Sequence, residues 1–187
     1  NLLVLVDLAT SFVDAYYCST RNADEVFACL RLFLEGPDNV DIAPRRIHSD
    51  GGAEIKAAVG RMGFRRVHTV SPVGDHQGNG LAEATVQIVG DATKAALLQS
   101  GLPLTWWREA APMMASAVTT IRCDEAGQSS YERRYLQPPP KIVPFGCSGG
   151  LVKSVIERKR THAFSPTRTP IVVVGQDLRQ DRILFVE

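Results

Sequence analysis

The sequence predicts an α/β fold in which a mixed β-sheet is flanked by helices and followed by a small β unit. Apolar strand-like runs alternate with amphipathic helical segments over residues 1–123. Short apolar runs separated by turn residues dominate residues 142–187, a pattern typical of small β structures. Between them lies a polar segment, residues 124–141, which ends in Pro138–Pro140 and is predicted to be a semi-rigid linker.

The first three elements are predicted from their hydrophobic patterns. Leu2–Asp7 is a continuous apolar run, typical of a buried strand. A short turn leads to the mixed alternation of Ser11–Cys18, which predicts an antiparallel neighbour. Asn22 with Glu25 three residues later matches a capping box, so a helix is expected to begin there and to end at Gly36.

The alternation of strands and helices then continues. Arg46–Asp50 is predicted to be a strand that completes a parallel, right-handed crossover with the preceding one. A helix over Ala53–Met62 and a strand over Phe64–Val70 follow. Ser71–Gly78 contains a Ser-Pro pair and glycines without apolar periodicity, which predicts a flexible loop.

Two longer helices complete the predicted core. The first covers residues 79–100, and the second runs from Pro103 to Arg122 with a kink expected at Pro112. Trp106 and Trp107 lie near the start of the second helix, where we interpret them as core packing rather than as a platform for nucleic-acid bases.

Composition excludes several classes of protein. No run of 18 uncharged apolar residues occurs, so no membrane span is predicted. The four cysteines form no Cys-x-x-Cys pair, which argues against a zinc site and for reduced thiols in an intracellular protein. The net charge of +1 does not by itself indicate a nucleic-acid binder.

Two carboxylates are the strongest candidates for a functional site. Asp50 ends a predicted strand and precedes Gly51 and Gly52, and strand ends beside glycine turns border the crevice where α/β sheets hold ligands. Glu83 lies in the first turn of the long helix. Carboxylate pairs of this kind bind Mg²⁺, which takes oxygen ligands. The alternative is a turn aspartate and a glutamate favoured by the helix dipole.

Two sequence strings carry a resemblance to a known family. Ser49–Ile55 reads Ser-Asp-Gly-Gly-Ala-Glu-Ile, and Gln77–Glu83 reads Gln-Gly-Asn-Gly-Leu-Ala-Glu. Together they resemble the catalytic core of retroviral and retrotransposon integrases, most closely the Ty1/copia class encoded in Pol polyproteins. The resemblance implies an RNase H-like core. Phe145–Cys147 and the strands after it resemble the small SH3-like β-barrel that follows copia cores.

The resemblance also implies a function and a set of site residues. The family joins element DNA ends to target DNA by two-metal phosphoryl transfer in the nucleus, as a homo-oligomer released from a Pol polyprotein. Asp50 and Glu83 would be catalytic ligands of two Mg²⁺ or Mn²⁺ ions. Residues in the preceding loop and along the helix would contact DNA: Gln77, Asn79, Gln87 and Lys94.

The family uses a third carboxylate, and its place in this chain is in question. Asp7 has the right order, but Leu3–Ser11 resembles the family's second strand, whereas the first catalytic Asp lies one strand earlier. We therefore expect Asp7 to be structural, with a third metal ligand as its minor alternative. The chain begins at Asn1 inside an apolar run and without methionine, so we expect a fragment that lacks the first strand and is inactive.

Two alternatives to an integrase remain open. The helix carries Ala84, Thr85 and Gln87 where copia-type integrases usually have basic residues after the glutamate. This departure favours a catalytically inactive, decayed or repurposed module that binds nucleic acid or protein. An RNase H-type nuclease would share the fold and the metal chemistry, but it does not explain the Gln-Gly-Asn-Gly string before the glutamate.

Overall fold

The computed structural model of the protein describes residues 1–34, 46–63, 67–72, 79–152, 168–177 and 182–186. The strands are β1 (Leu2–Val6), β2 (Val13–Tyr17), β3 (Arg46–Ser49), β4 (Val67–Val70), β5 (Ser148–Val152), β6 (Arg168–Asp177) and β7 (Arg182–Val186). The helices are α1 (Ala23–Leu34), α2 (Ala53–Arg61), α3 (Gly80–Ser100), α4 (Trp107–Ile121), which a short 3₁₀ turn precedes, and α5 (Ser130–Tyr135). None of the helices within these ranges is long and apolar enough to cross a lipid bilayer.

The core strands form two separate pairs. β1 and β2 are antiparallel, as predicted, with Leu2 opposite Tyr17. β3 and β4 are parallel, with Arg46 opposite Val67, and α2 connects them. Among the described strands β3 does not join the sheet of β1 and β2. The predicted crossover from the second strand to the third is therefore not formed there, and the parallel crossover lies between β3 and β4.

Helices cover the two faces of these strands. Successive side chains of a strand point to opposite faces, and β1 is apolar on both. Leu3 and Leu5 pack with Ile47 of β3 against the α1 and α2 residues Val26, Leu30, Ala58 and Val59. The alternate residues of β1 pack against α3 and α4, through the set Leu2, Val4, Val6, Val89, Ala111 and Ala115. Both strand pairs thus rest on the α1–α2 layer, and α3 lies on the opposite side of β1.

Helix α1 begins with half of the predicted capping box. Asn22 Oδ1 accepts a hydrogen bond from Glu25 N at 2.8 Å. The Glu25 carboxylate instead accepts from the Ser19 hydroxyl and from Thr20 N, the latter at 2.9 Å. These bonds, above all that from Ser19, lower the pKa of the Glu25 carboxyl. The segment between β2 and α1 is therefore tied by its own side chains.

A single buried threonine links β2 to α4. Thr119 is 1% exposed. Its hydroxyl accepts from Val13 N at 3.0 Å and donates to Val13 O at 2.8 Å. Both backbone groups of Val13 on that edge of β2 are thus satisfied by one side chain.

Replacing Thr119 with valine should lower the free energy of unfolding by about 1–3 kcal/mol, because buried Val13 N–H and C=O groups would lose their partner. Urea denaturation measures the loss. Thr120→Val is the matched control, since the Thr120 hydroxyl donates only within its own helix, to Ser116 O at 2.9 Å. Equal losses for the two variants would contradict the proposed link.

Part of the predicted linker is a packed helix. Ser129 and Glu132 form a reciprocal capping box, with Ser129 N donating to Glu132 Oε2 at 2.7 Å and Glu132 N donating to Ser129 Oγ at 3.2 Å. Tyr131 of α5 is buried against Phe12 and Phe33. The polar segment before Pro138 therefore contributes to the core rather than extending away from it.

The C-terminal strands form an open antiparallel sheet in the order β5–β6–β7. The predicted SH3-like barrel is not seen: the described strands do not close on themselves. The sheet is docked on the core, because Phe145, Val173 and Val174 share one buried cluster with Leu97 and Met113 of α3 and α4. Trp106 and Trp107 pack against this cluster, in agreement with their interpretation as core residues.

Candidate active site

Asp50 lies immediately after the end of β3, in the turn that leads to α2. Gly52 N donates to Asp50 Oδ1 at 3.3 Å, and Ser49 Oγ donates to Asp50 O at 2.8 Å. A Cβ atom at position 52 would lie 3.3 Å from Asp50 Oδ1, so glycine allows the backbone to approach the carboxylate closely. The Asp50 side chain is exposed. The turn therefore orients a solvent-accessible carboxylate at a strand end.

Glu83 occupies the first turn of α3. Its N–H donates to Asn79 O at 3.0 Å, which closes the first turn of the helix. The buried face of α3 is formed by Thr85, Val89, Thr93 and Leu97. Glu83 lies away from that face and is exposed. The positive end of the helix dipole favours a carboxylate at this position.

The direction of β3 side chains bears on where Asp50 lies. Ile47 points toward α1 and α2. By alternation His48 points to the opposite face, and Asp50 follows with the same parity at the strand end. That opposite face is the side on which α3 packs against β1. Whether the exposed carboxylates of Asp50 and Glu83 share one cleft stays a prediction.

A histidine beside Asp50 was not singled out from the sequence. His48 Nδ1 lies 2.9 Å from Thr69 Oγ1, and His48 Nε2 lies 2.9 Å from Ser71 Oγ. Ser71 N donates to Ser49 O at 3.0 Å. These bonds hold the end of β4 against β3 next to the candidate carboxylate. The pairing of His48 with Thr69 follows from the strand register, which sequence alone does not give.

Asp7, which follows β1, accepts hydrogen bonds from its own turn and from an arginine. Its Oδ1 accepts from Ala9 N at 3.0 Å, and its Oδ2 accepts from the Thr10 hydroxyl at 2.7 Å. Arg134 Nη1 also donates to Asp7 Oδ2, at 3.1 Å. Both carboxylate oxygens therefore accept hydrogen bonds from the turn after β1, and Oδ2 also accepts one from a buried arginine side chain.

Three of the four residues expected to contact DNA lie among the described residues. Gln77 lies outside the described residues. Asn79 precedes α3, and its side chain makes no capping hydrogen bond. Gln87 and Lys94 are exposed on α3. Lys94 Nζ pairs with Asp91 Oδ1 at 2.9 Å, which offsets the positive charge expected at that position.

Asp50 and Glu83, the two residues expected to bind metal, both lie among the described residues. Within them, no group of three His, Cys, Asp or Glu side chains is placed to hold a metal ion. Exposed carboxylate oxygens at Asp50 and Glu83 suit Mg²⁺ by donor type.

Comparison with solved structures identifies the fold. The chain is similar to the integrase catalytic core domain of HTLV-2 in complex with magnesium, with a TM-score of 0.51 and 18% identity over 70% of this chain and 82% of that one. It is similar to the BIV integrase catalytic core, with a TM-score of 0.52 and 18% identity over 72% and 84%. No family model matches the sequence, and no curated protein matches it.

A third structure covers almost the whole chain. The simian T-cell lymphotropic virus intasome in complex with PP2A regulatory subunit B56 gamma contains a chain that aligns with 99% of this one and 69% of its own length. The TM-score is 0.57 and the identity 15%. The predicted integrase-like α/β core is thereby confirmed at the level of the fold.

Proposed function

We propose that the chain is the catalytic part of an integrase-type polynucleotidyl transferase of the Ty1/copia class, which joins element DNA ends to target DNA. The observation that supports the proposal is an integrase-like core in which two exposed carboxylates, Asp50 and Glu83, occupy the ends of regular elements. Asp50 follows a strand end and Glu83 begins a helix, so both are held by regular structure while their carboxylates stay exposed.

Asp50 and Glu83 would hold the two Mg²⁺ or Mn²⁺ ions of such a site. Bound divalent ions would supply charge stabilisation at the phosphoryl group and a nucleophile at neutral pH. The chain itself contributes the orientation: the Gly52 N–H fixes one oxygen of Asp50, and the first turn of α3 fixes Glu83. His48 holds β3 and β4 together beside Asp50.

We further propose that a third carboxylate comes from a strand placed between β1 and β3. β1 is entirely apolar yet every residue is only half-buried, and among the described strands one of its edges is unpaired. Continuous apolar strands are typical of sheet interiors, whereas edge strands normally carry charges. A strand from the segment preceding Asn1 would join the two strand pairs and bring its carboxylate to Asp50 and Glu83.

The remaining roles are proposed on the same basis. Asn79 and Gln87, together with Gln77, would bind the DNA end. Homo-oligomers, origin in a Pol polyprotein and action in the nucleus would follow from the copia class. Lys94, whose charge is offset by Asp91, would add little phosphate affinity unless that exposed ion pair opens.

The second candidate is a repurposed binding module without catalysis. The observation that favours it is that both carboxylate oxygens of Asp7 accept hydrogen bonds, from Arg134 and from the turn after β1. With only two of three carboxylates, mutual repulsion between two divalent ions would be poorly compensated. The two candidates differ in whether adding the upstream strand produces joining activity.

Glu83→Gln, made in a longer chain that includes the upstream strand, should abolish Mg²⁺-dependent strand transfer and leave DNA binding within about twofold. The substitution removes a ligand charge and preserves the side-chain shape, and metal catalysis depends on that charge. Strand transfer is measured with labelled DNA ends, and binding is followed across salt concentrations because phosphate contacts set the salt dependence.

Glu109→Gln is the matched control, since Glu109 lies in the first turn of α4 and loses the same helix-dipole interaction. It should retain strand transfer. A longer chain that binds DNA well but joins none would instead establish the binding module, and full activity of residues 1–187 alone would contradict the need for an upstream carboxylate.

A further inference from the structure

Two buried cysteines meet at the junction between β2 and α1. Cys18 follows the last residue of β2, and Cys29 lies on the buried face of α1. Their Sγ atoms are 3.9 Å apart, and the residues are 4% and 8% exposed. Both thiols are free, whereas Cys123 is exposed and Cys147 is half-buried.

The surrounding structure holds the two sulfur atoms in place. Cys18 N donates to Asn1 O at 3.0 Å, and Asn1 N donates to Cys18 O at 3.0 Å, so the end of β2 is fixed to β1. The segment between the cysteines is tied by the hydrogen bonds of Glu25 to Ser19 and Thr20. A disulfide requires the sulfur atoms to approach to about 2.0 Å, which a side-chain rotation achieves more readily than a backbone movement.

We propose that Cys18 and Cys29 are an oxidative modification site, at which a peroxide converts the thiol pair into a disulfide that locks β2 to α1. One thiol attacks an oxygen of hydrogen peroxide, which gives a sulfenic acid and releases one water. The second sulfur attacks the sulfenic sulfur, and a second water leaves with the proton of that thiol. Two thiols are thereby oxidised and one peroxide is reduced. The inference is independent of the proposed DNA joining.

The environment of Cys29 slows the oxidation at neutral pH. Burial, with a contribution from Cys18, raises the pKa of the Cys29 thiol to about 12. The thiolate is the attacking form, so little of the Cys29 thiol is reactive at neutral pH. Because burial also limits access of the oxidant, the reaction should be slow at neutral pH and should accelerate as pH rises.

The full chain offers a direct test by mass spectrometry. In a Cys123→Ser, Cys147→Ser variant treated with hydrogen peroxide, the chain should lose two hydrogens in mass. Trypsin cleaves after Arg21 and Arg31, so peptides 1–21 and 22–31 should be recovered as one disulfide-linked species. The melting temperature should rise by about 5–10 °C, because the bond closes a short loop. A thiol reductant should reverse both changes.

Two outcomes would overturn the proposal. One is oxidation of the natural chain at Cys123 under conditions that leave peptides 1–21 and 22–31 unlinked. The other is formation of the linked species without any change in melting temperature, which would place the disulfide in unfolded chains. Adding Cys18→Ser or Cys29→Ser to the background removes the linked species and should give a melting temperature that peroxide does not raise.

Discussion

Replacing Arg134 with alanine should lower the free energy of unfolding by about 3 kcal/mol, because a buried guanidinium and its ion pair with the partly exposed Asp7 are lost. The Arg134 side chain is 2% exposed and donates to Asp7 Oδ2 and to Phe33 O. Its guanidinium lies 4.6 Å from the Phe12 ring centroid and 4.3 Å from that of Phe33. Truncation therefore removes ion pairing, cation–π contact and packing together. Urea denaturation measures the effect.

Arg61→Ala is the matched control, because Arg61 and Asp24 form an Arg–Asp pair whose side chains are 51% and 81% exposed. Exposed pairs contribute about 0–1 kcal/mol, so this variant should be close to the natural protein. Asp7→Asn should destabilise the fold equally with and without Mg²⁺, since Asp7 pairs with Arg134 and with its own turn. Similar losses for Arg134→Ala and Arg61→Ala would contradict the stabilising role of the ion pair between Arg134 and Asp7.

The elements with strong hydrophobic patterns were predictable from the sequence. The apolar run of β1, the stripe of α1 and the glycine that ends α3 at residue 101 indicated these elements to within a residue or two. Helix α5 was missed because it has six residues and a polar sequence. The Ser129-x-x-Glu132 pattern was nevertheless a readable start signal.

Strand pairing and long-range contacts were harder to predict from the sequence. Local pattern identifies a strand but not its partner, so the separation of β3 from β1 and β2 could not be foreseen. The ion pair between Arg134 and Asp7 joins residues 127 positions apart. By contrast, the positions of Asp50 and Glu83 at a strand end and a helix start depend on local sequence, and the structure places them as predicted.

Replacing Gly146 with alanine should release the C-terminal sheet from the core. Gly146 has φ +74°, and a Cβ atom there would lie 2.1 Å from Ser100 Cβ and 3.1 Å from Ser100 Cα, so the backbone of α3 would have to move. The contact is adjacent to Phe145, which is buried with Val173 against α3 and α4. Loss of this cluster should cost more than about 3 kcal/mol.

Limited proteolysis and urea denaturation measure this release. Gly127→Ala separates the steric contact from the strain of the left-handed backbone, because Gly127 has φ +78° and nothing lies within 4 Å of a Cβ there. It should cost only about 1–2 kcal/mol and leave the proteolytic pattern unchanged. Ser100→Gly removes the atom at 2.1 Å, so the Ser100→Gly, Gly146→Ala double variant should recover part of the loss. If Gly146→Ala instead matches Gly127→Ala in both measurements, the close approach of residue 146 to α3 does not hold the sheet in place, and cleavage near Pro138–Pro140 should already separate two independently stable parts.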